Sequence, residues 1–264
     1  MHRRNTYALT NKTAFVTGAL GQIGQEIVMR LLLDGAFVYI GDTSAKLSAG
    51  NKKLRKDFEN KLQSAKFKKY QYVSIDVSSE RSIRAAHTKL KHRVDILVNC
   101  AGIAVFTPFE TRTPEDLDRV WSVNLKGTIL CSKIFSADMV KKKNGRIINI
   151  ASIYGMTTPD FKIYGTSGLN SSEIYGATKA GIIHVTKYLA AYLAPHNILV
   201  NAVSPGGVFR HQDPYFLERY TKKTPLGRMA EPNDLTGLIA FLASDEAKYI
   251  TGQNIAVDGG FTVW

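Results

Sequence analysis

Short apolar runs and helix-periodic runs alternate along nearly all of this 264-residue chain. Strand readings fall at 12–17, 36–40, 70–75, 93–98, 145–151, 197–203 and 253–257. Helix readings fall between them. The first carries Ile23, Ile27, Val28, Leu31 and Leu32 on one face, and others follow at 46–63, 79–91, 114 to about 140, 172–193 and 232–243. A strand separated from the next by a helix crosses over and pairs in parallel. Most of the strands are continuously apolar, which requires cover on both faces. The pattern predicts an α/β chain: a Rossmann-type, doubly wound parallel sheet of about seven strands with helices on both faces.

No linker, repeat or composition break divides the chain, so residues 1–264 are expected to form one domain. Two stretches stand outside the alternation: 153–171, rich in Gly, Thr and Ser, and 205–231, with three prolines. Both directly follow strands. Loops at the carboxyl ends of such strands line the ligand crevice, so both are expected substrate walls.

A hydrophobic content of 44% with 22% charged residues supports a packed core rather than disorder. Two cysteines, Cys100 and Cys131, provide neither a disulfide framework nor a metal site, and they suit a reducing, cytoplasmic setting. No apolar run follows the basic N-terminus, and none is long enough to span a membrane, so neither a secretory leader nor a membrane span is expected. The net charge of +13 is partly local: Lys46 to Lys69 hold nine Lys/Arg against Asp57 and Glu59. This run reads as a solvated helix. It lacks the interleaved aromatics of a nucleic-acid surface, so nucleic acid is not an expected partner.

The first strand runs into Thr17-Gly18-Ala19-Leu20-Gly21-Gln22-Ile23-Gly24 and then a helix. Glycines there permit a tight turn and let main-chain N–H groups approach a pyrophosphate, with the helix N-terminus adding partial positive charge. Gly18, Gly21, Gln22, Ile23 and Gly24 are therefore candidate cofactor residues. Asp42 lies 24 residues after Gly18. A carboxylate there accepts from ribose hydroxyls and repels an added phosphate, which predicts NAD over NADP; the simpler alternative is a cap for the next helix. Tyr175 and Lys179 stand at i and i+4 on one helical face. A nearby ammonium favours the phenolate and lowers a tyrosine pKa.

The ordered set resembles the single-domain branch of the short-chain dehydrogenase/reductase family. It comprises the glycine loop, Asp76-Val77, Asn99-Cys100-Ala101-Gly102, Asn124, Ser152, the Tyr175/Lys179 pair, Pro205-Gly206 and Val257-Asp258-Gly259-Gly260. The resemblance implies an NAD-dependent oxidoreductase acting on an alcohol/carbonyl pair. Tyr175 would be its general acid/base, Lys179 would bind the nicotinamide ribose, and Ser152 would polarise the substrate carbonyl. Asn124 would hold a water behind Lys179. Asp76 and Val77 would flank the adenine; Asn99, Ala101, Gly102, Pro205, Gly206 and Val208 would lie along the cofactor. It also implies a homo-oligomer, a tetramer or dimer, built on the helices near 114–140 and 172–193. Each residue keeps a simpler reading: Ser152 as a strand-end cap, Asn124 as a cross-link, Cys100 as a small packed residue, and His184 and His211 as ordinary histidines.

Three departures qualify the resemblance. Gln22 stands where this branch usually has glycine, an arrangement closer to the extended branch of nucleotide-sugar epimerases and dehydratases. Ser152 and Tyr175 are 23 residues apart, more than is usual, so an insertion near 156–171 is expected over the site. The segment after Val208 lacks the usual threonine. The polar insertion resembles that of bacterial members tied to surface-glycan sugars, with Lys162 or Arg210 available for a phosphate. A sugar derivative, a 3-oxoacyl thioester, a polyol and a small cyclic alcohol are the substrate readings. The alternative functions are a nucleotide-sugar epimerase or dehydratase and a non-enzymatic cofactor- or nucleic-acid-binding regulator.

Overall fold

The structure, a computed structural model, describes residues 7–43 and 52–264. Its strands are β1 (Thr13–Thr17), β2 (Phe37–Asp42), β3 (Tyr70–Ser74), β4 (Ile96–Asn99), β5 (Gly145–Ile150), β6 (Ile198–Pro205) and β7 (Asn254–Val257). They form one sheet in the order β3-β2-β1-β4-β5-β6-β7, with every pairing parallel. The expected doubly wound architecture is present, and the winding reverses between β1 and β4. The helices are α1 (Gln22–Leu33), α2 (Lys52–Ser64), α3 (Glu80–Thr88), α4 (Pro114–Trp121), α5 (Gly127–Lys142), α6 (Glu173–Leu193), α7 (Pro214–Lys223) and α8 (Thr236–Ala243).

Alternation along β1 feeds two cores. Ala14 and Val16 pack with Ile27 and Leu31 of α1 and Ile239 and Leu242 of α8. Phe15 points the other way, to Ile83 of α3, Phe135 and Met139 of α5, and Leu193 of α6. A third, smaller core of Ile153, Ile163, Tyr164, Tyr220, Met229 and Phe261 joins the two irregular stretches. Among the described residues, no helix is long and apolar enough to cross a membrane.

Several sequence expectations change. The stretch 205–231 contains a helix: Asp213 accepts from the Tyr215 and Phe216 N–H groups and Pro214 opens α7, a cap-and-proline start. The long helix expected from 114 is divided by a π-turn, Ser122–Lys126, between α4 and α5. The helix expected at 232–243 begins as a 3₁₀ turn, Pro232–Leu235. The strand expected at 93–98 starts only at Ile96, and the Asp95 carboxylate just before it accepts from the Thr13 N–H at 2.9 Å. The first part of the expected helix 46–63, with Lys46, lies outside the described residues.

Candidate active site

The β1–α1 turn leaves no room for side chains at two points. Gly18 has φ +63°, and a Cβ on it would lie 2.6 Å from the Ala101 Cα. A Cβ on Gly24 would lie 2.8 Å from the Ala19 Cα and drive into the Gly18 carbonyl. Thr17 fixes the far wall: its Oγ1 accepts from the N–H groups of Cys100 and Ala101, both at 3.1 Å. Side chains of Ser79, Thr113, Ser172 and Asp213 cap α3, α4, α6 and α7. By contrast, Gly21 gives α1 no side-chain cap, and the first turn of α1 has no acidic residue. Its first N–H groups can receive an anion. A narrow cradle, an uncapped helix and a carboxylate at the next strand end fit the pyrophosphate and ribose of a dinucleotide. That carboxylate is Asp42, 4% exposed, whose Oδ2 accepts from the Leu20 N–H at 2.9 Å and whose Oδ1 accepts from the Thr43 N–H at 2.8 Å. Asp42 therefore braces the glycine turn itself.

The candidate reacting groups gather where β4, β5 and α6 meet. Ser172 caps α6 by accepting from the Tyr175 N–H, which fixes the start of the helix beneath Tyr175. Lys179, one turn on, is 5% exposed; its Nζ donates to the Ile150 carbonyl at 2.7 Å and sits 5.6 Å from the Tyr175 ring centre. A Cβ on Gly102 would lie 3.6 Å from both the Lys179 Nζ and the Asn124 Oδ1, so these groups share one recess. Ser152 lies beside the Tyr175 hydroxyl. Its Oγ accepts from the Tyr154 N–H at 3.2 Å, so it caps the 3₁₀ turn after β5 as well.

Asn124 sits in the π-turn, a form common at functional sites. Its Oδ1 accepts from the Ile103 N–H at 2.8 Å, and its Nδ2 donates to the Ile103 carbonyl at 2.9 Å and Thr178 Oγ1 at 3.2 Å. The side chain thus makes the cross-link the sequence allowed.

Burial pushes the Tyr175 hydroxyl above its ordinary value, and Ser152 beside it only partly offsets this. The protein alone therefore keeps Tyr175 protonated at neutral pH. Burial also pushes Lys179 down, to about 8.

The other candidates divide. Gly206 donates its N–H to the Val257 carbonyl at 3.0 Å, directly after Pro205 ends β6, and Val208 bridges to Ala230. Asp76 is exposed and accepts from the Ser78 N–H and hydroxyl, whereas Val77 is buried where α5 begins at Gly127. Asn99 turns its side chain away from the crevice, donating to Asn149 Oδ1 at 2.8 Å and Ser132 Oγ at 3.0 Å. Asn149 in turn donates to Thr186 Oγ1 at 2.9 Å. This buried chain ties β4 and β5 to α5 and α6, and sequence reading missed it because lone polar residues in apolar strands carry no periodic signal. His184, Lys162, Arg210 and His211 are exposed.

The two irregular stretches form one lobe. The Lys223 Nζ reaches Asp160 at 2.6 Å, the Tyr164 and Phe216 rings lie 5.3 Å apart, and the Tyr220 hydroxyl accepts from the Gly207 N–H. Arg112, its side chain 3% exposed, pairs with Glu173 at the start of α6 and Asn170 at the end of the insertion. A cavity of about 700 Å³ is lined by Arg112, Asn170 and Glu173 together with Phe109, Met156 and Phe161, on the side of α6 that carries Gly176, Ala177 and Ala180.

Residues 18–262 match the model of a family described as enoyl-(acyl carrier protein) reductase. The chain is 34% identical over 262 residues to a 3-oxoacyl-(acyl carrier protein) reductase of Thermotoga maritima, covering 97% of this chain and 99% of that protein. It is 32% identical over 265 residues to the post-translational flagellin modification protein A of Campylobacter coli, covering 96% and 99%. A short-chain dehydrogenase from Leptospira borgpetersenii, solved with bound NAD+, is similar at a TM-score of 0.84 and 41% identity, over 96% of this chain and 93% of that one.

Proposed function

The chain belongs to the short-chain dehydrogenase/reductase superfamily, and from that premise we propose that Tyr175 is the general acid/base of an NAD-dependent interconversion of an alcohol and a carbonyl. An oxidoreductase of this class acts on CH–OH groups with a nicotinamide dinucleotide, which supplies the hydride chemistry when bound. Residues of the β1–α1 turn, Asp42 and the β4 end would hold it. The observation that carries the reading is the shared recess: Tyr175 beside Ser152, with Lys179, Asn124 and Gly102 converging on it.

In the reducing direction, the Tyr175 Oη–H donates its proton to the substrate oxygen while Ser152 holds that oxygen in place. In the oxidising direction, Tyr175 must first become the phenolate. Burial opposes this, so the positive charge needed for it comes from Lys179 and from the oxidised nicotinamide. Asn124 acts through position, tying the π-turn to Ile103 and α6. Asp42 favours NAD, since a further phosphate at the ribose would meet a buried carboxylate. The Ser/Thr/Gly-rich insertion supports a hydroxyl-rich substrate, a sugar or sugar derivative. Exposed Leu117, Trp121 and Ile129 on α4 and α5, with Tyr188 and Tyr192 on α6, support a homotetramer or dimer, and Cys100 and Cys131, not joined in a disulfide, support a cytoplasmic setting.

The test is Tyr175→Phe. Turnover falls at least ~100-fold while NADH fluorescence still reports binding; a fully active variant overturns the mechanism. A screen of sugars, polyols and 3-oxoacyl thioesters for NADH appearance names the substrate class. Parallel titrations with NAD and NADP examine Asp42, and light scattering reads the assembly.

A further inference from the structure

The two places where this chain departs from its family's cofactor pattern meet in space. Gln22 stands where glycine is usual, and the segment beyond Val208 lacks the usual threonine. The Gln22 Nε2 donates to the Phe209 carbonyl at 2.6 Å, joining residues 187 positions apart. Gln22 is the first residue of α1, whose uncapped end faces the phosphate cradle; Phe209 follows the end of β6. In the sheet β6 lies three strand steps from β1, a span of about 14 Å at the usual strand spacing. The chain leaving β6 therefore reaches across the carboxyl edge of β5 and β4 to touch α1, over the crevice where a doubly wound sheet binds its ligand.

The far side of this crossing is already anchored. Val208 bridges to Ala230, the Phe209 N–H donates to the Ala230 carbonyl at 2.8 Å, and the Gln212 amide closes back on the Val208 carbonyl at 2.8 Å. Gln22 is exposed, so its amide can exchange this partner for water without unfolding anything.

We propose that Gln22 is a latch: its amide holds the 206–212 segment closed over the cofactor crevice, and breaking that one hydrogen bond opens the path for the dinucleotide. This rests on the reading of the crevice as the dinucleotide site. A latch of this kind has a kinetic signature. If the bond is made in the closed form with or without cofactor, removing it favours opening equally in both. Association and dissociation then accelerate by the same factor and the affinity stays put.

The experiment is stopped-flow fluorescence of NADH binding and release with the wild type, Gln22→Ala and the uncharged, near-isosteric Gln22→Met, which lacks the donor. Losing one such bond should raise both rates about five- to tenfold, with Kd within about twofold. A faster release alone, with Kd rising in proportion, would make Gln22 a direct cofactor contact and overturn the latch. Unchanged rates in both variants also overturn it. If the wild type does not bind NADH at all, the dinucleotide reading fails first, and the latch with it.

Discussion

The glycine-turn crevice and the lobe built from 153–171 and 205–231 share one edge of the sheet, yet they are held by different forces. The crevice is specified by its main chain. Gly18 needs a positive φ, Gly24 lies against the Ala19 backbone, and Thr17 and Asp42 brace peptide N–H groups. The lobe is specified by side chains: Tyr164 against Phe216, Tyr220 stacked on Phe261 at 4.8 Å, and Lys223 on Asp160. Main-chain requirements have few sequence solutions, whereas aromatic packing has many. The first region can serve a constant ligand and the second a variable one.

The largest effect should come from the crevice. Gly24→Val forces a branched side chain into the turn, and overpacking against main chain costs about 3 kcal/mol. Thermal unfolding should register that loss, and NADH binding should weaken at least ~100-fold, since the cradle cannot keep its shape. Phe216→Ala makes the matching cut in the lobe. Phe216 is only partly buried, so about 2 kcal/mol is expected from the lost ring contacts. NADH affinity should hold within about twofold while substrate KM rises. If Phe216→Ala weakens NADH as much as Gly24→Val does, the two regions are not separable.

What the sequence made legible follows the same division. The sheet, the glycine turn, Asp42 and the i,i+4 spacing of Tyr175 and Lys179 could be read because glycine, strand periodicity and helical spacing are local signals. Ser152 and Asn124 could be read only through the resemblance. The Asn99–Asn149–Thr186 chain and the Arg112 clamp could not be read, since their partners lie 37 to 61 positions apart. Helix α7 is a different kind of miss: Asp213-Pro214 is a local start signal, hidden by the surrounding irregular composition. The rise of the Tyr175 pKa was also out of reach, because burial is a tertiary property.

Helix α6 borders both regions and offers a pH test of which one Lys179 serves. Burial lowers the Lys179 pKa to about 8, so its ammonium is intact below that pH and lost above it. If the ammonium binds the cofactor, NADH affinity should be level from pH 6 to about 7.5. Above about 8 it should then weaken by up to about tenfold per pH unit. Lys179→Met should flatten that profile. A wild-type profile already flat to pH 9.5 would remove the Lys179 charge from cofactor binding and leave its hydrogen bond to Ile150 as its structural role.

The smallest effect tests whether rings or charges hold the lobe. The Lys223 Nζ hydrogen-bonds Asp160 and holds that carboxyl below the usual carboxylate range. Both side chains remain substantially open to water, at 44% and 28%. Water and salt screen such a pair, so a double-mutant cycle with Asp160→Asn and Lys223→Met should give a coupling of at most ~0.5 kcal/mol, smaller in high salt. Asparagine keeps an oxygen to accept from the Lys162 N–H, so the start of the 3₁₀ turn is preserved and the cycle isolates the charge. The Asp160 contribution should be present above the ordinary carboxylate pKa and disappear as pH falls through the lowered one. A coupling well above ~1 kcal/mol would mean that charge, and not aromatic packing, closes the lobe; its grip on substrate would then vary with ionic strength while the crevice did not.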